Sequence, residues 1–404
     1  MAFGTRESAL VLIGMRRSLS LRRYAGEPLP AEVLWERLER FSRARTFVAG
    51  TIGFDAVWPD STMRAAQDGA APTLHFWEPD GVLRIEAAPS GPAEVSVLQG
   101  DATFSSLRPR PIGAFEAVPL RCLDSDALTF RESVARTLAF IERGKGQRVT
   151  LARRIDLPDD LDLLASFAAP PGVGPRSVGR SFYLATPDLE LAGHSPELLA
   201  SGNREGFVCY KLSGTAPRHP DPAADARLRV DLLTDAKILD EHALSIEATR
   251  SALAAVGAVK AAPMEVLERP GLRHLMTPLS VAKAPGASWS RILRAVLPCG
   301  AQPRDAGLEW LDALERTSRG AWYGLLGVRG PQGEFEFSQV LRTLFRDRTG
   351  THTFVGAAVT RGSTADGECE ETRIKLDDVV AMRPQQSASR RSRTAGRPAT
   401  TFAS

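Results

Sequence analysis

The sequence contains few cysteines, and none of them lies in a metal-binding or redox spacing. Four cysteines occur in 404 residues, and no two form a CxxC pair. No hydrophobic run is long enough to span a bilayer. The short apolar stretch at 9–15 is followed by two arginines rather than by a small-residue cleavage site. These absences predict a cytoplasmic protein with reduced thiols and no membrane association.

Signals for nucleotide and nucleic-acid binding are also missing. No GxGxxG segment follows a predicted strand, and no P-loop is present. The formal net charge is only +3, and part of the basic excess lies in residues 390–397. No basic stripe alternates with aromatic residues, which argues against a nucleic-acid partner.

The composition is that of a globular protein, with 43% hydrophobic and 25% charged residues. A length of 404 residues favours one large domain or two coupled ones. We divide the chain into a β-rich part at 1–120, a central region at 121–383 and a tail at 384–404. The tail is rich in Ser, Thr, Arg, Ala and Gln, and we expect it to be disordered.

Alternating patterns and turn residues predict most of the secondary structure. In the N-terminal part, the turn signal at 78–81 predicts a hairpin over 74–85. A long helix is predicted at 222–256 from its apolar stripe, and another at 126–143. The C-terminal third is predicted to form a meander of strands at 322–328, 334–345 and 351–359, followed by a helix at 367–382.

The last of these helices carries the most informative residues. Glu368, Glu371 and Lys375 share one face, because residues three and four apart are neighbours on a helix. Glu241 lies on the earlier long helix. Three carboxylates from two helices suit one Mg²⁺ ion beside an anionic substrate. The alternative is a pair of solvated helix faces with ordinary ion pairs.

Several blocks in order resemble the chorismate-utilising enzymes, which include isochorismate synthases, salicylate synthases and the large subunits of anthranilate and aminodeoxychorismate synthases. The blocks are Gly193–Leu199, Leu212–Thr215, Lys237–Ser245, Arg273–Leu275, Arg342, Val355–Ala358 and Gly367–Leu376. The resemblance implies an α/β (α+β) fold, with two packed, mostly antiparallel sheets flanked by helices in a single large domain. It covers about 145–380 and matches no motif in the N-terminal third.

The resemblance also implies roles for individual residues. Glu241, Glu368 and Glu371 match metal-binding positions, directly or through water, with Mg²⁺ as the cofactor. Glu197 matches the general acid that protonates the departing ring hydroxyl, a role that needs a raised pKa.

The remaining matches are to substrate contacts of chorismate or isochorismate. Arg342 and Lys375 match groups that bind carboxylates. Gly214, Thr215 and Gly356 match backbone and hydroxyl contacts, and His274 matches either an active-site contact or a structural histidine. These matched positions are Gly214, Thr215, His274, Arg342, Gly356 and Lys375.

Four positions depart from the family pattern. Arg148 stands where water-using members have a lysine base and where ammonia-using members usually have Gln; an arginine is a poor proton acceptor. Lys211 stands where the family often has Pro, and it replaces the base if desolvation lowers its pKa; otherwise it is an exposed strand lysine. Ala358 replaces a glycine, and Trp322 replaces Tyr or Phe.

Three functions remain open at this point. The leading hypothesis is Mg²⁺-dependent conversion of chorismate to isochorismate, with salicylate and pyruvate as the further products if the lyase step follows. The second is an aminating synthase, whose glutaminase would be a separate subunit. The third is a protein that keeps the fold and binds the ligand without turnover.

Overall fold

The computed structural model describes residues 1–22, 29–42, 45–58, 72–88, 92–101, 113–121, 124–169, 178–269, 271–315 and 318–385. Within these residues, helices surround two large sheets. The helices are α1 (Ala31–Phe41), α2 (Asp124–Glu142), α3 (Leu163–Ala168), α4 (Pro222–Thr234), α5 (Ala236–Ala254), α6 (Trp289–Val296), α7 (Arg304–Leu314) and α8 (Ala365–Asp377), with a 3₁₀ turn at Phe54–Val57.

The strands of the described residues are short and numerous. They are β1 (Ala2–Gly4), β2 (Ser8–Ile13), β3 (Arg17–Leu21), β4 (Val48–Ile52), β5 (Leu74–Glu78), β6 (Gly81–Glu86), β7 (Glu94–Gln99), β8 (Phe115–Ala117), β9 (Arg148–Asp156), β10 (Arg180–Ala185), β11 (Glu190–Ser195), β12 (Leu198–Gly202), β13 (Gly206–Pro217), β14 (Gly257–Ala261), β15 (Glu265–Glu268), β16 (Leu272–Lys283), β17 (Ala301–Gln302), β18 (Leu325–Arg329), β19 (Phe335–Gln339), β20 (Thr343–Asp347), β21 (Gly350–Thr360) and β22 (Met382–Pro384).

Both large sheets are antiparallel, and both mix strands from distant parts of the chain. The first runs β17-β9-β21-β20-β11-β10-β1-β2-β6-β7. The second runs β14-β16-β13-β12-β19-β18-β4-β5-β3, with β15 also paired to β16. The N-terminal strands β1–β7 therefore extend the same two sheets that contain the matched blocks. This is the α+β architecture of two large sheets that the resemblance implied.

One hydrophobic core joins the two sheets. Phe3 and Leu12 of the first sheet belong to the same buried cluster as Ile52 and Phe337 of the second. Such a shared core is what packed sheets produce when each buries one apolar face. The result is a rigid frame whose strand ends can hold side chains in fixed positions.

The predicted hairpin at 74–85 is wrong, although both of its strands exist. β5 pairs with β3 and β4 in the second sheet, whereas β6 pairs with β2 and β7 in the first. The turn at 78–81 therefore passes the chain from one sheet to the other. A turn signal marks a change of direction, but it does not specify the partner strand.

The predicted helix at 222–256 is divided into α4 and α5. The break lies at Asp235, whose backbone is extended and whose carboxylate accepts a hydrogen bond from the amide of Ile238 at 2.9 Å. An aspartate in this position caps a new helix in place of continuing the old one. The break gives α5 its own direction toward β13.

Two C-terminal predictions also need correction. The predicted strand at 334–345 is two strands, β19 and β20, in different sheets, and the crossover contains Arg342 at a φ of 50°. The last helix ends at Asp377, and residues 382–384 form β22 instead, which pairs with β8. The predicted disordered tail lies outside the described residues from 386 onward.

Candidate active site

A cavity of about 80 Å³ lies where the two sheets and helices α5 and α8 meet. Every site residue predicted from the sequence lines it except Glu368 and Glu371. The predicted residues that line it are Arg148, Glu197, Lys211, Gly214, Thr215, Glu241, His274, Trp322, Arg342, Gly356, Ala358 and Lys375. We call this cavity the inner chamber.

Glu197 and Lys211 form a buried ion pair on one wall. The Lys211 Nζ lies 2.5 Å from a Glu197 carboxylate oxygen, and the two residues are 6% and 4% exposed. Burial lowers the pKa of Lys211, but the charge of Glu197, its hydrogen bond and the nearby Tyr323 together outweigh burial and raise that pKa above its ordinary value. The lowering needed for Lys211 to replace the missing base is therefore absent, and the exposed-lysine alternative is also wrong.

Arg148, at the start of β9, faces the same wall. Burial opposes its charge, while Tyr323 and Glu241 raise its pKa. It therefore remains a cation, as expected for an arginine. Its neighbour Tyr323 has a φ of 67° and directs its hydroxyl to the Thr150 hydroxyl at 3.3 Å. Arg148 and Tyr323 thus add a positive charge and a phenol to this wall, and Arg148 is not a proton acceptor.

Two lysines pair with two of the three predicted metal-binding carboxylates. Lys237 Nζ donates to Glu368 at 2.8 Å, and Lys375 Nζ donates to Glu371 at 2.5 Å. Burial and repulsion by Glu371 raise the pKa values of both Glu241 and Glu368. Burial also acts on Glu371, but Lys375 and Lys237 outweigh it and lower the pKa of Glu371. Glu241 on α5 and Glu368 on α8 are thus both close enough to Glu371 for its charge to act on them.

Arg342 provides a buried cation at another side of the chamber. It forms an ion pair with Asp378 at 3.3 Å, and Arg269 contacts the same carboxylate oxygen at 3.3 Å. Burial lowers the pKa of Arg342. Two buried guanidinium groups sharing one carboxylate leave net positive charge, and this attracts an anionic ligand.

His274 is a neutral imidazole facing the chamber. Burial, and then repulsion by Arg342 and Lys375, lower its pKa well below the ordinary value. Nδ1 lies 3.2 Å from both the Gly214 carbonyl oxygen and the Thr215 hydroxyl, and because a carbonyl oxygen can only accept, the first contact favours a proton on Nδ1. Nε2 is buried and has no hydrogen-bond partner among the described residues. The lone pair of Nε2 therefore accepts no hydrogen bond from the described residues.

Gly214 has a φ of 66°, a conformation that favours glycine, and a Cβ there would lie 2.6 Å from Ile238. The opposite wall is formed by Gly356, Ala358 and Trp322. A Cβ on Gly356 would lie 2.7 Å from the Trp322 ring, so this glycine makes room for the indole. Trp322 thus fits against Gly356 at a position where the resemblance implied a smaller ring.

Some site residues were missed by the sequence reasoning. His242 bridges the hydroxyls of Ser213 and Thr277 at 2.6 and 2.8 Å and fixes α5 against β13 and β16. Asp378 and Tyr323 were also missed. The only sequence signal for His242 was its position next to Glu241 within a matched block. The partners of Asp378 come from distant segments, so the sequence around Asp378 shows no pattern that predicts its role.

Buried carboxylates, buried cations and a neutral imidazole around one chamber define an enzyme-like site for a small anionic molecule. Residues 6–381 match the family model described as chorismate binding enzyme. The chain belongs to this family, and the match extends through the N-terminal third that no motif covered.

Relatives of more than one activity are similar to the chain. It is 31% identical to anthranilate synthase component 1 1 of Haloarcula marismortui over 60% of its length and 51% of the relative. It is 25% identical to the salicylate synthase of Mycolicibacterium paratuberculosis, covering 88% and 80% of the two chains. The chain spans about half the length of the first curated relatives that it matches.

Solved structures agree on the fold. The menaquinone-specific isochorismate synthase of Escherichia coli superimposes with a TM-score of 0.69 over 94% of this chain and 87% of that one, at 19% identity. Identity at this level supports the fold alone. No helix of the described residues is long and apolar enough to cross a membrane.

Proposed function

We propose that the protein converts chorismate to isochorismate in a Mg²⁺-dependent reaction, with salicylate and pyruvate as further products when the lyase step follows. Chorismate is a cyclic dianion, and the inner chamber offers Arg342 and Lys375 for its carboxylates. The observation that carries the proposal is that the neutral His274 imidazole lines the same chamber as the Glu197–Lys211 pair. The chamber thus contains a proton acceptor and a proton source.

The proton for the departing hydroxyl comes from the ion pair. A carboxylate alone cannot donate a proton, but Lys211 keeps its proton and hydrogen-bonds Glu197 at 2.5 Å. Transfer from Lys211 through Glu197 protonates the leaving oxygen. This keeps Glu197 in its expected role and gives the unusual lysine the role of proton reservoir.

The proton acceptor is His274 in this proposal. Water attacking the ring must lose a proton, and Arg148 cannot accept it. Nε2 of His274 has the free lone pair that this step requires, and a dianion that neutralises Arg342 and Lys375 would remove part of the repulsion that lowers its pKa. Arg148 instead orients the attacking water or binds an anion, and Tyr323 holds its guanidinium.

The carboxylates fit Mg²⁺. The donors are oxygen atoms of Glu241, Glu368 and Glu371, and Oε2 of Glu368 is buried without a hydrogen-bond partner. Among the described residues, no three acidic, histidine or cysteine side chains are arranged to hold a metal directly, so water would complete the shell. When bound, the ion would neutralise the carboxylate on the substrate ring. Lys375, then released from Glu371, would contact the substrate.

The test is a product assay with the full chain, chorismate and Mg²⁺, with and without ammonium, resolved by chromatography. We expect isochorismate or salicylate without ammonium, and a loss of at least tenfold in rate for His274→Gln. Calorimetry of Mg²⁺ alone should give an affinity that rises with pH, because burial and repulsion raise the pKa values of Glu241 and Glu368. Full turnover by His274→Gln would exclude the imidazole as base.

The second candidate is an aminating synthase. It is favoured by one observation: both Arg148 and Lys211 keep their protons, and ammonia, unlike water, is a good nucleophile that needs no base to activate it. A separate glutaminase would supply the ammonia. Product that forms only with ammonium would establish this candidate, and chorismate binding without any product would indicate a binding protein.

A further inference from the structure

A second and larger cavity lies behind the inner chamber. Its volume is about 490 Å³, within the range of small-molecule sites. Arg148, Lys211 and Tyr323 line both cavities and form the wall between them. The second cavity is otherwise built from α5, the end of α6 and the segment at 297–304. We call it the outer chamber.

Three buried polar atoms on residues of the outer chamber have no hydrogen-bond partner among the described residues. They are Nε of Arg148, Oγ of Ser245 and Oε1 of Gln302. Ser245 is only 2% exposed. Buried polar groups are nearly always hydrogen-bonded in folded proteins. Orphaned atoms from three separate elements around one cavity indicate a ligand: Nε of Arg148 and Oγ of Ser245 can donate to it, whereas Oε1 of Gln302 can only accept.

The charges of the lining select an anion. Arg148, Arg294 and Arg304 all line the chamber. The Arg294 guanidinium is exposed and its partner Glu32 is more so, which makes that pair weak and easily exchanged. The one carboxylate in the lining, Glu247, already accepts from Arg250 at 2.7 Å.

The remaining lining sets the shape of the ligand. Leu199, Val296 and Leu297 are buried apolar residues of the wall. We propose that the outer chamber binds a small carboxylate with an apolar, ring-sized body, distinct from the substrate in the inner chamber. The carboxylate contacts Arg148 and Ser245, and the body packs on the apolar wall.

Occupancy of the outer chamber affects the inner one through the shared wall. A carboxylate against Arg148 reduces the positive charge that this residue presents to the inner chamber. Ligands in the two chambers therefore change each other's affinity by equal factors. The outer chamber is a regulatory site in this sense.

Calorimetry with benzoate and its uncharged analogue benzamide tests the proposal. We expect benzoate to bind the full-length protein, with benzamide at least about tenfold weaker because it lacks the charge. Ser245→Ala should weaken benzoate by roughly fivefold, the loss of one hydrogen bond. Arg294→Gln should weaken it by severalfold, whereas the matched control Arg348→Gln, on an exposed arginine outside the lining that pairs with Asp188, should not.

Two further variants distinguish the chambers. Ala248→Trp fills the outer chamber and should abolish benzoate binding, and Ala252→Trp serves the same purpose if the first variant fails to fold. Arg342→Met damages the inner chamber and should leave benzoate binding intact. No benzoate binding up to about 10 mM, or binding lost in Arg342→Met and kept in both tryptophan variants, would overturn the proposal. None of these measurements requires turnover, so they stand apart from the product assay.

Discussion

Replacing Lys211 by Met should destabilise the protein strongly, because it leaves the Glu197 carboxylate buried alone. The attraction across 2.5 Å is about 7 kcal/mol at an effective dielectric constant of about 20. Desolvation of the two ions offsets most of this, so the pair itself contributes little net stability. Removing one partner is different, and we expect Lys211→Met to lose about 3–5 kcal/mol.

The double variant Lys211→Met/Glu197→Gln gives the sharper measurement. It removes both charges, so it should be roughly 3 kcal/mol more stable than the single variant, despite carrying an additional substitution. Urea unfolding followed by circular dichroism measures all three proteins. Arg373→Met is the matched control: its partner Glu370 is exposed, so the loss should stay below about 1 kcal/mol.

The pH dependence has a definite sign. Since the folded-state pKa of Lys211 is raised, the pair's contribution is fully present below the ordinary lysine pKa and is lost only as the pH rises through the higher, folded-state value. In the wild type, this pair should therefore cause no change of stability with pH near neutral pH. In Lys211→Met the deficit should shrink toward about pH 4, where carboxylates take up protons. A loss below about 1 kcal/mol at pH 7, or a double variant less stable than the single one, would refute the reasoning.

Three other outcomes follow from the structure. Burial and then repulsion by Lys211 lower the pKa of His242 to about 4. The neutral His242 therefore contributes about 3 kcal/mol to the free energy of unfolding, which is present above pH 6.5 and lost as the pH falls to about 4. Unfolding measured against pH should show a flatter curve over this range for His242→Gln. Asp378→Asn leaves Arg342 and Arg269 without their shared carboxylate and should cost about 3–5 kcal/mol in chemical unfolding. Phe337→Ala, at a fully buried ring, should cost about 3–5 kcal/mol in the same assay, and a loss under about 1 kcal/mol would contradict the packing of the shared core.

The sequence was enough to predict that the candidate-site residues lie together, because motifs in a fixed order specify a fold, and the fold brings those motifs to one place. Glu241 and Lys375 are far apart in sequence, yet both line the inner chamber. The helix spacing of Glu368, Glu371 and Lys375 also depends only on local geometry. Features that depend on helix spacing, or on the fold that the matched motifs imply, were therefore predictable.

Features that depend on non-local pairing were not. The hairpin at 74–85 failed because β5 and β6 find better partners in different sheets. Neither alternative for Lys211, a base or an exposed lysine, describes the structure. Its partner Glu197 lies on a separate connection between strands, and this contact keeps the lysine buried and charged. In both cases the local signal was present, but the energy came from a contact that sequence distance conceals.

The charge pairing of the inner chamber constrains how a dianion can bind there. Lys375 and Lys237 are already partnered by Glu371 and Glu368 inside the protein. A dianion entering alone would compete with these carboxylates, and the net positive charge around Arg342 and Arg269 would offset only part of its charge. If the proposed Mg²⁺ ion entered with it, the ion would take the carboxylates and would free a lysine for the ligand. Under this proposal the two affinities would be positively and reciprocally coupled, so each ligand would bind more weakly without the other.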